Sequence, residues 1–411
     1  MNENMLWQYA RLVVGVGINV KKGQPVTVNC PVECAAFGRL LTKAAFGAGA
    51  KDVFMVWRDD FVSRERWLHA DDTMFDAVPA WDVLMSKELI KQGAGRISIA
   101  ASDPENLKGV DPERLRRWSA AAGRDLKEVS RDVMANVVPW CVVSVPIPSW
   151  AKKVFPGIPE DEAMEKLWRA IFKAVRITED GDAVENWREH CADLEGKARA
   201  MTEFDFEELH YVNSSGTDLY VKMPENNVWM AGGELTKGGV KFVANMPTEE
   251  VFSAPLRTGV NGVLAASKPL VLHGNVVEGI RFTFRDGRIT GIHADRNEET
   301  LRAEVELDEG SHYLGEIALV PYDSPISNSG ILFYNTLFDE NASCHFAFGQ
   351  AYPSCVKDGE ELSTEELAEK GLNADSSTHV DFMVGTRDLS IIGKTRDGKT
   401  VKVFENGNFA I

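Results

Sequence analysis

The sequence of 411 residues is poor in cysteine and contains no long apolar run. Its six cysteines include no CxxC pair, which is typical of thiols that stay reduced and pack as small apolar side chains. No segment approaches the roughly 18 uninterrupted apolar residues of a membrane-spanning helix, and the start of the chain lacks the pattern of a secretion signal. We therefore expect a cytoplasmic protein that makes no membrane contact.

Positive charge is also scarce: 45 basic residues stand against 62 acidic ones, and the formal net charge is −17. Such a chain repels phosphate backbones and anionic lipids unless it carries a local basic patch. The densest basic stretch, residues 114–117, is flanked by acids and is typical of a solvated helix face. These features argue against a nucleic-acid partner.

Several catalytic motifs are missing. The sequence has no GxxxxGK[ST], GxSxG or HExxH, which argues against a P-loop enzyme, an α/β-hydrolase and a zincin. The glycines of residues 15–23 suggest a nucleotide loop, but they precede the first convincing strand. A turn that leads into this strand is the better interpretation.

The first half of the chain alternates short β-branched runs with amphipathic segments, which predicts an α/β domain with a parallel sheet. The predicted strands cover residues 25–30, 52–57, 96–100 and 140–145, and the predicted helices cover residues 33–47, 83–92, 111–135 and 161–175. We expect a doubly wound, flavodoxin-like domain over residues 1–200.

The pattern changes after an acidic helix predicted at residues 185–201. Hairpin signals then follow at residues 213–216, 285–287 and 396–398, between short alternating runs. Residues 201–411 are therefore expected to form a β-rich α+β domain.

Four segments of this second domain carry acids and histidines. His379 and Asp381 are two residues apart in a β-like run, so both would face one side of a strand, as metal ligands or as a structural hydrogen-bonded pair. Glu316 opens an apolar run that suggests a buried strand, where a carboxylate is costly unless it is paired or coordinated. The adjacent acids Glu249 and Glu250 would diverge, so at most one reaches a common centre; a solvated turn is the alternative.

A fourth segment, residues 333–353, contains acids, a histidine and aromatic residues in a mixture unlike a simple core helix, although a surface loop would look similar. Four carboxylates and two imidazoles then suit two divalent ions about 3.5 to 4 Å apart, with zinc, cobalt or manganese as candidates. The absence of a cysteine ligand is typical of a catalytic site. The six candidate ligands are Glu250, Glu316, Glu340, His345, His379 and Asp381.

The segments NMPTEEVFSAP, GEIALVPYDSPIS, LFDENASCHFAFGQAYP and HVDFMVG, in this order, resemble the thermophilic aminopeptidase family that includes aminopeptidase T and aminopeptidase S. The resemblance covers nearly the whole chain. It implies a homodimeric, two-metal aminopeptidase that acts on short peptides with a free amino terminus. It also implies that Glu316 bridges the metals, that Glu340 ligates or supports them, and that Tyr352 donates to the oxyanion or touches a metal.

The expected reaction is hydrolysis by a metal-activated water, with Glu249 or Glu250 as the general base. Two alternatives stay open at this point. A hydrolase of another small amide or ester would use the same ligands, and a non-catalytic protein could bind a small ligand at the carboxyl ends of its parallel strands.

Overall fold

The computed structural model describes residues 2–411, which divide into two compact units. The first unit contains the chain up to Cys191 together with Gly233–Thr248 and Ile331–Leu337, and the second contains Ala192–Gly232, Glu249–Gly330 and Phe338–Ile411.

Helices are concentrated in the first half of the chain. In chain order they are α1 (Glu3–Leu12), α2 (Ala35–Gly47), α3 (Asp60–His69), α4 (Ala80–Lys91), α5 (Pro112–Asp125), α6 (Lys127–Met134), α7 (Pro148–Val154), α8 (Glu160–Ala174), α9 (Ala183–Glu203), α10 (Glu298–Val305), α11 (Thr336–Glu340) and α12 (Thr364–Glu369). The predicted domain boundary after residue 200 falls inside α9, and the assignment of domains 1–200 and 201–411 stays a prediction.

Strands dominate the second half. In chain order they are β1 (Pro25–Pro31), β2 (Asp52–Arg58), β3 (Gly95–Ile99), β4 (Trp140–Val143), β5 (Phe206–Val212), β6 (Asp218–Lys222), β7 (Met230–Ala231), β8 (Glu234–Leu235), β9 (Lys241–Phe242), β10 (Asn245–Met246), β11 (Val251–Ser253), β12 (Val260–Ala265), β13 (Leu270–Leu272), β14 (Asn275–Val277), β15 (Arg281–Arg285), β16 (Arg288–His293), β17 (Leu314–Leu319), β18 (His345–Gly349), β19 (His379–Met383), β20 (Ser390–Thr395), β21 (Thr400–Glu405) and β22 (Asn408–Phe409).

The first unit is built on a parallel sheet with the strand order β2-β1-β3-β4-β10. Consecutive side chains of β1, Val26 to Val28, are buried, so both faces of the strand are covered, as expected for a parallel sheet flanked by helices. The predicted α/β class of this region and its four strands are confirmed. One helix prediction was wrong in part: residues 111–135 form two helices, α5 and α6, separated at Leu126.

Two large antiparallel sheets make up most of the second unit, which also contains the two-stranded sheet β13-β14. One has eight strands in the order β16-β15-β12-β6-β5-β20-β21-β22, and the other has five in the order β19-β18-β17-β11-β7. The three predicted hairpins join β5 to β6, β15 to β16 and β20 to β21. The predicted β-rich α+β class is therefore confirmed.

The core of the second unit lies between these two sheets. Phe282 of the eight-stranded sheet packs edge-to-face on Phe348 and Phe382 of the five-stranded sheet, with ring centroids 6.1 and 5.0 Å apart. Side chains alternate along each strand, so the residues between these aromatics face the opposite side of the five-stranded sheet. That opposite side carries the candidate ligands.

A β-bulge between Leu314 and Glu316 determines on which face of the sheet the Glu316 side chain lies. Leu314 pairs with Phe348 on the core side, whereas Glu316 pairs with Ala347 on the other side. Gly315 is the extra residue, and a Cβ there would lie 2.3 Å from the carbonyl oxygen of Gly349. Glycine thus permits the bulge that turns the Glu316 carboxylate away from the core.

Two further features of the fold concern the cysteines and the length of the helices. All six cysteines are free and buried, as expected. Within residues 2–411, no helix combines the length and apolarity needed to cross a lipid bilayer.

Candidate metal centre

Two groups of potential metal ligands share the carboxylate of Glu316. Glu250, Glu316 and His345 form one group, and Glu316, His379 and Asp381 form the other; within each group the ligand atoms lie within 4.8 Å of one another. The Oε1 atom of Glu316 lies 3.5 Å from Nε2 of His345, and its Oε2 atom lies 3.4 Å from Nε2 of His379. One carboxylate therefore faces both imidazoles, each with a different oxygen.

The strand register explains how these residues meet. Ala347 of β18 lies between Glu316 of β17 and Asp381 of β19, and all three face the side opposite the aromatic core. The methyl group of Ala347 leaves space above the sheet between the two carboxylates. His345 and His379 stand at the two ends of this arrangement, one at the start of β18 and the other at the start of β19.

Both imidazoles are oriented by main-chain carbonyl groups. Nδ1 of His345 donates to the carbonyl oxygens of Glu340 and Ser343 at 3.0 and 3.1 Å, and Nδ1 of His379 donates to that of Gln350 at 2.7 Å. The Nε2 atoms therefore point at the carboxylates. This is the usual arrangement of metal-binding histidines, in which the second ring nitrogen is held by a hydrogen bond.

The two groups differ in exposure. The side chains of His345 and Glu316 are 1% and 6% exposed, whereas those of His379 and Asp381 are 20% and 16% exposed. His379 and Asp381 are thus the more solvent-exposed ligands of the centre.

Mutual electrostatics shift the pKa values of the centre strongly. Burial raises the pKa of Glu316, but the hydrogen bonds and charges of His345 and His379 outweigh it and lower the value to about 2. Burial lowers the pKa of both imidazoles, and the facing carboxylates more than reverse this effect, so both pKa values lie well above the usual range. Burial also raises the pKa of Glu250.

The charge balance calls for a cation. Among residues 2–411, Glu250, Glu316 and Asp381 form ion pairs only with these two imidazoles, and no lysine or arginine reaches them. Several carboxylates with low exposure and neither lysine nor arginine beside them are costly unless cations offset their charge. Oxygen and imidazole ligands without cysteine suit zinc, cobalt or manganese.

The distances between the imidazole and carboxylate atoms also fit those between the ligands of one metal ion. Ligands about 2.0 to 2.2 Å from a tetrahedral ion lie about 3.3 to 3.6 Å from one another. The four separations between the imidazole Nε2 atoms and the carboxylate oxygens are 3.2, 3.5, 3.4 and 3.5 Å. The described side chains can therefore hold divalent ions with little rearrangement.

Glu340 and Glu249 lie next to the centre but belong to neither group. Glu340 is 8% exposed, and its pKa is raised well above the usual value by burial and by the nearby charges of Asp381 and Glu250. Glu249 is 3% exposed, and its backbone N–H donates to Oδ1 of Asn341 at 2.8 Å. The solvated turn considered for residues 249 and 250 is therefore wrong.

Asn341 is a residue that the sequence interpretation missed. Its side chain is fully buried; the carboxamide accepts from Glu249 and donates to Oε1 of Glu340 at 3.3 Å. It thus links the loop of the two adjacent acids to the end of α11. The only sequence signal is its position directly after Glu340.

Tyr352 follows β18 and lies beside the second ligand group. Its ring centroid is 5.4 Å from that of His379 and 5.7 Å from that of Phe252. Tyr352 also packs against a small apolar cluster that includes Phe252 and Leu372. The aromatic side chain is therefore close to the partly exposed side of the centre.

Comparison with known proteins identifies the family. The model of the thermophilic metalloprotease (M29) family matches residues 2–409. The chain belongs to this family. The resemblance deduced from the four sequence segments is thereby confirmed.

Named relatives span the full length of the chain. Aminopeptidase AmpS of Bacillus subtilis is 47% identical over 402 residues, which cover 98% of this chain and 97% of the relative. Aminopeptidase 2 of Geobacillus stearothermophilus is 42% identical, covering 99% and 98%. The structure of wild-type AmpT from Thermus thermophilus superposes with a TM-score of 0.91 at 37% identity and covers all of both chains.

Proposed function

We propose that this protein is a metal-dependent aminopeptidase that removes the amino-terminal residue from short peptides. The family and the names of its full-length relatives support the activity. The observation that carries the proposal is the shared carboxylate of Glu316, because one bridging acid between two ligand groups is the donor arrangement of a two-metal hydrolase.

The proposed centre holds two divalent ions. Glu250, Glu316 and His345 ligate one ion, and Glu316, His379 and Asp381 ligate the other. Bound ions of this kind supply the positive charge that activates a water molecule and polarises the scissile carbonyl group. Zinc, cobalt and manganese all suit these donors.

The protein's own groups complete the reaction. Tyr352 lies beside His379 on the exposed side of the centre. Its phenolic hydroxyl donates a hydrogen bond to the oxyanion that forms from the scissile carbonyl. Its aromatic ring and Phe252 provide an apolar wall next to the reacting bond.

Proton transfer requires a carboxyl group that does not bind a metal ion, and Glu249 and Glu340 are the two candidates. We assign the transfer to Glu340, because it is buried beside Asp381 and Glu250 yet belongs to neither ligand group. Glu249, one of the two bases considered from the sequence, is the second candidate, and its backbone N–H and the Glu340 carboxylate both bond to Asn341.

Cellular location and assembly complete the proposal. A cytoplasmic homodimer suits the sparse cysteines and the family resemblance. Small peptides would reach the centre from the side of His379 and Asp381, where the side chains are partly exposed.

A panel of peptides tests the activity. Protein reconstituted with zinc, cobalt or manganese should cleave peptides with a free amino terminus and leave the same peptides intact when the terminus is acetylated. Chelator-treated protein is the control. Equal cleavage of acetylated peptides would instead indicate a hydrolase of other amides or esters.

A further inference from the structure

His379 and Asp381 lie on a strand that has only one neighbour. β19 is the last strand of the five-stranded sheet, so only β18 pairs with it, whereas β18 is held by β17 and β19 on its two sides. The residues just before β19, Ser376 to Thr378, belong to no regular element. The position of His379 therefore depends on contacts outside the sheet.

One set of contacts comes from Gln350. Its backbone N–H donates to the carbonyl oxygen of Thr378 at 2.8 Å, and its side-chain Oε1 accepts from the N–H of Ser376 at 2.9 Å. Its carbonyl oxygen accepts from Nδ1 of His379. Gln350 thus holds the segment from the side of β18.

Glu304 holds the segment from the opposite side. This carboxylate lies in the last turn of α10 and is 7% exposed. One oxygen accepts from the hydroxyl of Thr378, and the other accepts from Nε2 of His273 at 2.7 Å. Both carboxylate oxygens are thus engaged, which fixes the orientation of the group that holds Thr378.

Asp308 adds a second carboxylate to this side. Oδ2 accepts from the backbone N–H and the hydroxyl of Ser377, both at 2.6 Å, and Oδ1 accepts from the hydroxyl of Ser376 at 2.9 Å. Oδ1 also accepts from the N–H of Ser311 at 2.8 Å. Three consecutive residues before His379 are therefore bound by two acids that belong to neither ligand group.

His345 needs no such support. Its strand is paired on both sides, and its ring is held by two main-chain carbonyl groups within five residues of sequence. The side-chain network therefore serves one half of the centre.

We propose that Glu304, acting through Thr378 and aided by Asp308, is a positioning residue that sets the metal affinity of the half formed by His379 and Asp381. The inference rests on the proposed two-metal function. Removing a direct hydrogen-bond partner of a ligand commonly changes metal affinity by about 10-fold to 100-fold, and because Glu304 acts one residue further away, through Thr378, we expect an effect at the lower end of this range.

The test is a zinc titration of the full-length protein with a competing chelator, fitted to a separate affinity for each of the two proposed sites. Thr378→Val keeps the shape of the side chain but loses the hydroxyl, and should weaken one zinc site about 10-fold while the other is unchanged. Thr378→Ser keeps the hydroxyl and should restore wild-type affinity. Glu304→Gln should weaken the same site as Thr378→Val.

Glu298→Gln is the matched control, because Glu298 is on the same helix but binds Arg302 and the N–H of Ala294 instead. It should leave both affinities unchanged. Wild-type zinc affinities in Thr378→Val and Glu304→Gln would overturn the proposal, as would an equal loss at both sites. If either variant does not fold, the other decides the question.

Peptide cleavage by the same wild-type preparation separates this inference from the proposed function. Two bound zinc ions without cleavage of any peptide would contradict the aminopeptidase activity, yet the zinc affinities of the variants would still decide the role of Glu304.

Discussion

Glu316 presents one carboxylate oxygen to His379, 3.4 Å from its Nε2 atom, and keeps the other oxygen for a second imidazole. This geometry makes Glu316 common to both halves of the centre, whereas every other ligand serves one half. The effects of substitution should follow this division.

Glu316→Gln should remove activity and both metals together. The amide has no negative charge and only one oxygen, so it cannot bridge. We expect kcat/KM to fall on the order of a thousandfold or more and the bound metal, measured by elemental analysis, to fall below one ion per chain. Substantial remaining activity would contradict the bridging role, and an unchanged circular dichroism spectrum would show that the fold is intact.

Substitution of each histidine should affect only one of the two proposed metal sites. His345→Ala and His379→Ala should each lose one of two bound ions, because each imidazole belongs to a different ligand group. His345→Ala should also destabilise the protein by about 2 kcal/mol, since that side chain is 1% exposed and leaves a cavity. Metal stoichiometry and urea unfolding measure both effects; loss of both ions in both variants would mean that the sites do not bind independently.

Glu340→Gln and Glu249→Gln distinguish the two candidates for proton transfer. Glu340→Gln should lower kcat by about 100-fold or more with both metals retained, because a general acid–base group contributes on the order of 10² to 10⁴. Glu249→Gln should change kcat less. The opposite order in steady-state kinetics would assign the proton transfer to Glu249.

Asp308→Asn should destabilise the protein in a manner that depends on pH. Burial raises the pKa of Asp308, but its hydrogen bonds to Ser377, Ser311 and Ser376 lower it below 3.8. A carboxyl group with a lowered pKa contributes stability that is fully present above its unfolded value and is lost as pH falls through the folded value.

The expected loss in Asp308→Asn is about 2 kcal/mol at pH 7, because hydrogen bonds to a charged acceptor are lost and an amide donor meets the N–H of Ser377. Urea unfolding at pH 7 and at about pH 2 measures it. A difference between wild type and variant that is as large at the acidic pH as at pH 7 would contradict this origin.

Much of the centre could be predicted from local patterns in the sequence. The alternation in residues 379–383 predicted that His379 and Asp381 share a face, and β19 places them so. The apolar run after Glu316 predicted a buried strand, which β17 confirms. These predictions rest on the period of two along a strand, which is a local property.

Other features depend on contacts between distant segments. Asp308 meets Ser376 across 68 residues, and Glu304 meets Thr378 across 74. The bulge at Gly315 could not be predicted from the sequence either, because simple alternation would place Leu314 and Glu316 on the same face. Periodicity cannot reveal which distant side chain accepts a given hydrogen bond.

The two faces of the five-stranded sheet have different roles. Phe346, Phe348 and Phe382 hold the sandwich together on one face, while His345 and Asp381 alternate with them on the other. Substitutions on the ligand face can therefore alter the chemistry without disturbing the aromatic packing between the sheets, and substitutions on the aromatic face can alter stability without removing a ligand.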